Sequence, residues 1–143
     1  MFPLRARILG SAIVTFIPDL SSTLYSPDLH RGANAVSVGW LGRCTRPWWK
    51  APLIGTTKRH AADPSVLALL SRAAADNQSD CVELGLHTCE TCGREESSGE
   101  FWFEWDGVRY VLPNMVFHYI DAHGYSLPSQ AVEALRNVST NLD

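Results

Sequence analysis

The chain has no apolar run of the roughly 18 residues that a bilayer-spanning helix needs, no internal repeat and no low-complexity tail. These absences argue against a membrane span and a repeat architecture. Charge is not abundant either: 19% of residues are charged and 45% hydrophobic, the balance of an ordinary soluble globular chain. The 143 residues suffice for one hydrophobic core and are too few for two full ones, so a single domain over 1–143 is expected. The N-terminal stretch imitates a secretory leader only loosely. Arg5 and Arg7 precede the apolar run from Ile8 to Ile17, but Pro18-Asp19-Leu20 follows instead of a small-x-small cleavage site. A buried first strand is the expected reading.

Cysteine is sparse, and its placement matters more than its number. In a secreted chain Cys44, Cys81, Cys89 and Cys92 would allow three disulfide pairings. Two cysteines with two residues between them more often serve a metal or a redox couple. A thioredoxin-like couple belongs at the end of a strand, opening a helix. Here Cys92 leads into Gly93-Arg94-Glu95-Glu96-Ser97-Ser98-Gly99, a polar loop, so metal is favoured. Cys44 and Cys81 have no close partner and read as small core or partly exposed thiols.

The thiol pair lies in His87-Thr88-Cys89-Glu90-Thr91-Cys92. Two imidazoles follow in His118-Tyr119-Ile120-Asp121-Ala122-His123-Gly124-Tyr125, giving C-x2-C-x25-H-x4-H. Two thiolates and two imidazoles form a complete tetrahedral set for zinc, so Cys89, Cys92, His118 and His123 are the expected ligands of a structural Zn2+. The 25 intervening residues exceed the 12 to 15 of a compact finger. His118 and His123 are five apart, roughly 140° around an ideal helix. They can share one metal only if the helix tightens or ends between them, and Gly124 is placed to end it. His87 is an alternative ligand should His123 point away.

Nothing here assembles a catalytic constellation. A zinc deaminase needs H-x-E and P-C-x-x-C, but Cys89 occupies the Glu position after His87 and no proline precedes Cys89. Four good ligands also leave no position for substrate. A zinc hydrolase would require only three of them to bind, with water as the fourth. Asp121 reads as a solvent-facing helix residue and Glu90 as an ordinary knuckle residue. No small-molecule substrate is indicated.

Local signals set the surrounding elements. Residues 12–17 read as a strand stopped by Pro18, and Ala35–Leu41 as a second. Residues 42–59, with Pro47, Pro52 and Gly55, read as irregular. Asp63 is an N-cap with Pro64 at the first helical position, opening a helix that ends near Asp76-Asn77. Residues 81–86 suggest a short strand delivering His87 and Cys89. Asp106-Gly107, between Phe101–Trp105 and Val108–Leu112, predicts a two-residue hairpin. Pro113 ends it, Asn114 is expected to cap a short helix through Ala122, and a last helix starts near Ser126 or Leu127 with Pro128 in its first turn. Trp102 and Trp105 fall on opposite strand faces, one of them in the core. His30 and His60 lie in expected loops and read as solvent-exposed.

Charge divides the chain. Residues 1–60 carry eight Lys/Arg against two Asp, and residues 61–143 carry four Arg against thirteen Asp/Glu. An acidic ligand-bearing half disfavours phosphate binding, which depends on Lys/Arg. A nucleic-acid-binding reading survives through the basic segment 43–59. That segment also holds Arg46, Trp48 and Trp49, a candidate partner-binding surface because Trp and Arg dominate binding hot spots. The leading expectation is a noncatalytic zinc-stabilised module that binds another protein, of the immunity or regulatory kind.

The order knuckle, hairpin, helix over residues 85–125 resembles treble-clef and other ββα zinc modules. A wider set of segments resembles a group of small uncharacterised bacterial proteins. These are Ile17-Pro18-Asp19-Leu20-Ser21, Val38-Gly39-Trp40-Leu41, His87-x-Cys89-x-x-Cys92, Tyr110-x-x-Pro113-Asn114-Met115 and the His118–Tyr125 run. The resemblance covers most of residues 16–136, departs over Gly42 to Asn77, and implies a bacterial, cytoplasmic origin but no activity. The expected fold is a single α+β domain: a small mostly antiparallel sheet, with helices at its end or on one face and a zinc knuckle.

Overall fold

Asp106-Gly107 sits where the two longest strands turn back on each other. Both residues have positive φ, 51° and 78°, as a two-residue type I′ turn requires. The structure, a computed structural model, describes residues 17–41, 63–79, 87–89 and 92–142. Its elements in chain order are β1 (Ala35–Ser37), α1 (Pro64–Asp76), β2 (Gln78–Ser79), β3 (His87–Thr88), β4 (Glu96–Ser97), β5 (Glu100–Trp105), β6 (Val108–Pro113), α2 (Val116–His123) and α3 (Ser129–Leu142). A 3-10 turn spans Pro27–His30. The expected α+β class holds. The main sheet runs β1-β6-β5-β2, and only the β1–β6 pairing is parallel. A separate ribbon pairs β3 with β4.

Alternation along the hairpin sorts side chains between two apolar clusters. Phe101, Phe103, Tyr110 and Leu112 face the helices and pack with Val66, Leu70, Ala73, Ala131, Ala134 and Leu135. Phe103 pairs with Tyr110 across the strands, their rings stacked 5.1 Å apart. On the other face Val111 packs with Ile17, Ala35 and Trp40, and the Trp40 indole N–H donates to the Val111 carbonyl at 3.1 Å. Trp102 joins this second cluster and Trp105 the first, so the expected opposite faces hold. Neither tryptophan is fully buried.

Helix α1 starts as its sequence dictates. Asp63 Oδ1 accepts the Ser65 N–H at 2.9 Å, and bonds from the Ser65 hydroxyl and backbone hold this carboxyl below its ordinary range. Three expectations need correcting. Asn114 does not cap α2: its side-chain amide donates to the Ser98 carbonyl at 2.7 Å, and the N-cap is Met115, with no side-chain bond. Helix α3 begins at Ser129, with Pro128 just before it accepting the Ala131 and Val132 N–H groups.

The third correction concerns His30, which is 2% exposed. Its Nδ1 accepts from Arg109 Nη1 at 3.0 Å. A ring nitrogen that accepts carries no hydrogen, so a neutral imidazole bears its proton on Nε2 and donates it to Glu100 Oε2 at 2.5 Å. Arg109 is held in turn by Glu104 and lies over the Trp102 ring, 5.5 Å from its centroid. A loop position thus becomes core because its partners sit 70 and 79 residues away. Residues 12–16, 42–59 and 81–86, with Cys44, His60 and Cys81, lie outside the described residues.

Two outcomes follow. Gly39 has φ 79°, and a Cβ there would lie 2.8 Å from Val116 Cγ2. Left-handed strain and overpacking together should make Gly39→Ala less stable by roughly 2–4 kcal/mol in urea unfolding. Burial pushes the Glu100 carboxyl above its ordinary 4.5, against the opposing effect of His30. Its contribution to stability is therefore full below pH 4.5 and declines as pH rises through the folded-state value. The stability of the natural chain relative to Glu100→Gln should fall from pH 4.5 to pH 7, as read by urea melts at each pH.

Candidate metal centre

The knuckle is shaped by backbone bonds that its small residues permit. Cys89 follows β3 directly, and its N–H donates to the Glu95 carbonyl at 3.0 Å. Its own carbonyl accepts the Gly93 N–H at 2.8 Å. Gly93 adopts φ 65°, a left-handed turn that points the next amide inward. The Arg94 N–H then donates to Cys92 Sγ at 3.4 Å. Both sulfurs face the end of α2.

Helix α2 buries Val116, Tyr119 and Ile120 and ends with His123. Gly124 follows in the left-handed region at φ 70°, as its type and position predict, and the Gly124 and Tyr125 N–H groups close on the Tyr119 carbonyl. The helix ends directly after His123, and the His123 and His118 side chains reach the same point.

Four donor atoms converge there. Cys89 Sγ lies 3.4 Å from His123 Nε2, and Cys92 Sγ lies 3.3 Å from His118 Nε2. The two Nε2 atoms are 3.2 Å apart. All four ligand atoms lie within 4.8 Å of one another. Zinc bonds of about 2.3 Å to sulfur and about 2.0 Å to nitrogen, at tetrahedral angles, put S···N pairs about 3.5 Å apart and the N···N pair about 3.3 Å apart. The three observed edges match these within a few tenths of an ångström, so the residues fit a tetrahedral ion. Cys89, Cys92, His118 and His123 could hold a metal ion.

The surroundings are asymmetric. Cys89 is 1% exposed and His123 8%, while Cys92 and His118 are half-buried. Met115, Tyr119, Leu41 and Tyr125 back the site with apolar surface. Asp121, on the same helix, is exposed as expected. His87 pairs with Ser97 through β3, and its side chain lies outside what the structure describes. Arg46, Trp48, Trp49 and Glu90 lie outside the described residues. A cleft of about 380 Å³ between α1, β5 and α3 is lined by Leu69, Ala73, Trp102, Phe103 and Leu135 and includes none of the four ligands. Within the cleft, Arg109 is paired with Glu104. No described helix is long and apolar enough to cross a membrane.

The chain belongs to a family described as a domain of unknown function, DUF7919, which matches residues 15–136. That range takes in both ligand pairs. No curated protein and no solved structure matches the chain.

Gly93→Ala tests the knuckle. Open space surrounds the position, so only the left-handed backbone is penalised. A cost of about 1 kcal/mol should weaken metal binding about fivefold in competition with a chromophoric chelator.

Proposed function

We propose that this family member holds one structural Zn2+ through Cys89, Cys92, His118 and His123, and that the domain so closed is a noncatalytic protein-binding module of the immunity or regulatory kind. The observation that carries the metal reading is the match of three donor separations, 3.4, 3.3 and 3.2 Å, to the edges of a zinc tetrahedron. Two thiols and two imidazoles in that arrangement favour zinc over the hard cations, which take oxygen. Four protein donors fill the shell and leave no position for a reacting water or substrate, which favours a structural role over hydrolysis. The acidic balance of residues 61–143 favours a basic protein partner over a phosphate backbone.

Metal content by mass spectrometry is the test, on the natural chain, Cys92→Ser and His123→Ala. One zinc per chain, lost or weakened in both variants, is expected. Ethylenediaminetetraacetate should then lower the melting temperature, since binding energy at such a site is folding energy. Zinc held as tightly by His123→Ala would instead mean an open fourth position or His87 as the ligand, and would sink the four-ligand set proposed here.

A further inference from the structure

Helix α2 carries both histidines and is gripped near both ends by one segment, residues 17–41. That segment doubles back on itself: Ile17 bridges Trp40, Ser21 bridges Ser37, and Leu20 between them takes φ 65°. Near the start of α2, Val116 packs so closely on Gly39 that only glycine fits. Beyond its end, the Tyr125 hydroxyl donates to Asp19 Oδ2 at 2.8 Å, while Asp19 Oδ1 accepts the Gly39 N–H at 2.9 Å. One carboxylate thus ties together both limbs of the segment and the residue two past His123. The Tyr125 ring also packs against the Cys89, Met115 and Tyr119 cluster.

The ligand geometry needs such a hold. Histidines five apart meet only if the final turn of α2 is fixed, and a helix end is where backbone conformation is least constrained by its own hydrogen bonds. We propose that Asp19 and Tyr125 are positioning residues of the metal centre, clasping Gly124-Tyr125 to residues 17–41 so that metal binding and docking of that segment are one coupled event. This inference rests on the metal reading above. Coupling of this kind is reciprocal: metal orders the segment to the degree that the docked segment tightens metal binding.

The test uses the full chain with zinc as the probe. Tyr125→Phe, which deletes one oxygen, should lower zinc affinity roughly tenfold, the scale of outer-shell effects. The cobalt-substituted protein should keep its tetrahedral sulfur–nitrogen spectrum. Asp19→Asn should act similarly, and the double variant should be little worse than either single, as expected of residues acting through one interaction. In the natural chain, amides of residues 17–41 should exchange faster once zinc is removed. A merely structural clasp would lower the stability of loaded and metal-free chains equally and leave affinity unchanged; that result overturns the inference. So does segment exchange indifferent to metal, and both leave the metal reading intact. Failure of the natural chain to bind zinc overturns the two together. Should Asp19→Asn not fold, Tyr125→Phe decides alone.

Discussion

The register of the β5–β6 hairpin is the constraint on which the rest depends. Six consecutive pairs, from Trp105 with Val108 to Glu100 with Pro113, fix which side chains face each cluster. Because the side-chain period is two, a slip by one residue would turn Phe101 and Phe103 away from the helices and Trp102 toward them. The Asp106-Gly107 turn prevents that slip by allowing only a two-residue loop. The hairpin also sets the entry to α2: Pro113 closes the strand, and Met115 and Val116, both buried, place the helix against the sheet. The two histidines inherit their position from that chain of constraints.

Among the described residues the knuckle has no comparable support of its own. β3 and β4 are two residues each, far short of a ribbon that is stable in isolation. The fold's answer is convergence of side-chain donors from the knuckle and from α2. Cys89 and His123 are buried at that junction against Met115 and Tyr119, which lends the donor set a dry inner side. A metal ion there would supply the closing energy that the short strands and the polar residues 93–99 lack. Two kinds of cohesion therefore meet in α2: apolar packing on one side and donor convergence on the other.

Buried polar groups hold the segment before α1 in the same selective manner. His30, Glu100, Arg109 and Glu104 form one chain of bonds from the interior to the surface. Removing a charged group from water is unfavourable unless it is paired, and each member here has a charged or hydrogen-bonding neighbour. Such a chain ties the 3-10 turn to β5 and β6 through both ring nitrogens of His30. Asp19 does the same for the opposite end of that segment with its two carboxylate oxygens.

What the sequence by itself determined was local chemistry. The C-x-x-C and H-x4-H spacings named the four donors. Asp63-Pro64 named the start of α1, Asp106-Gly107 the hairpin, and Gly124 the end of α2. In the last three cases the residue type restricts φ, removes an N–H or supplies a cap within four residues of itself, so no knowledge of the fold was needed. Tertiary structure alone decided the pairings. His30 looked exposed because it lies in an expected loop, yet its partners come from β5 and β6. Asn114 looked like a cap because asparagine caps well, yet the helix takes Met115 as its N-cap, and the Asn114 amide nitrogen donates to the Ser98 carbonyl across the loop. Asp19 and Tyr125 meet across 106 residues of chain. A side chain's hydrogen-bonding capacity is written in its identity, but which partner satisfies it depends on what the folded backbone brings within about 3 Å.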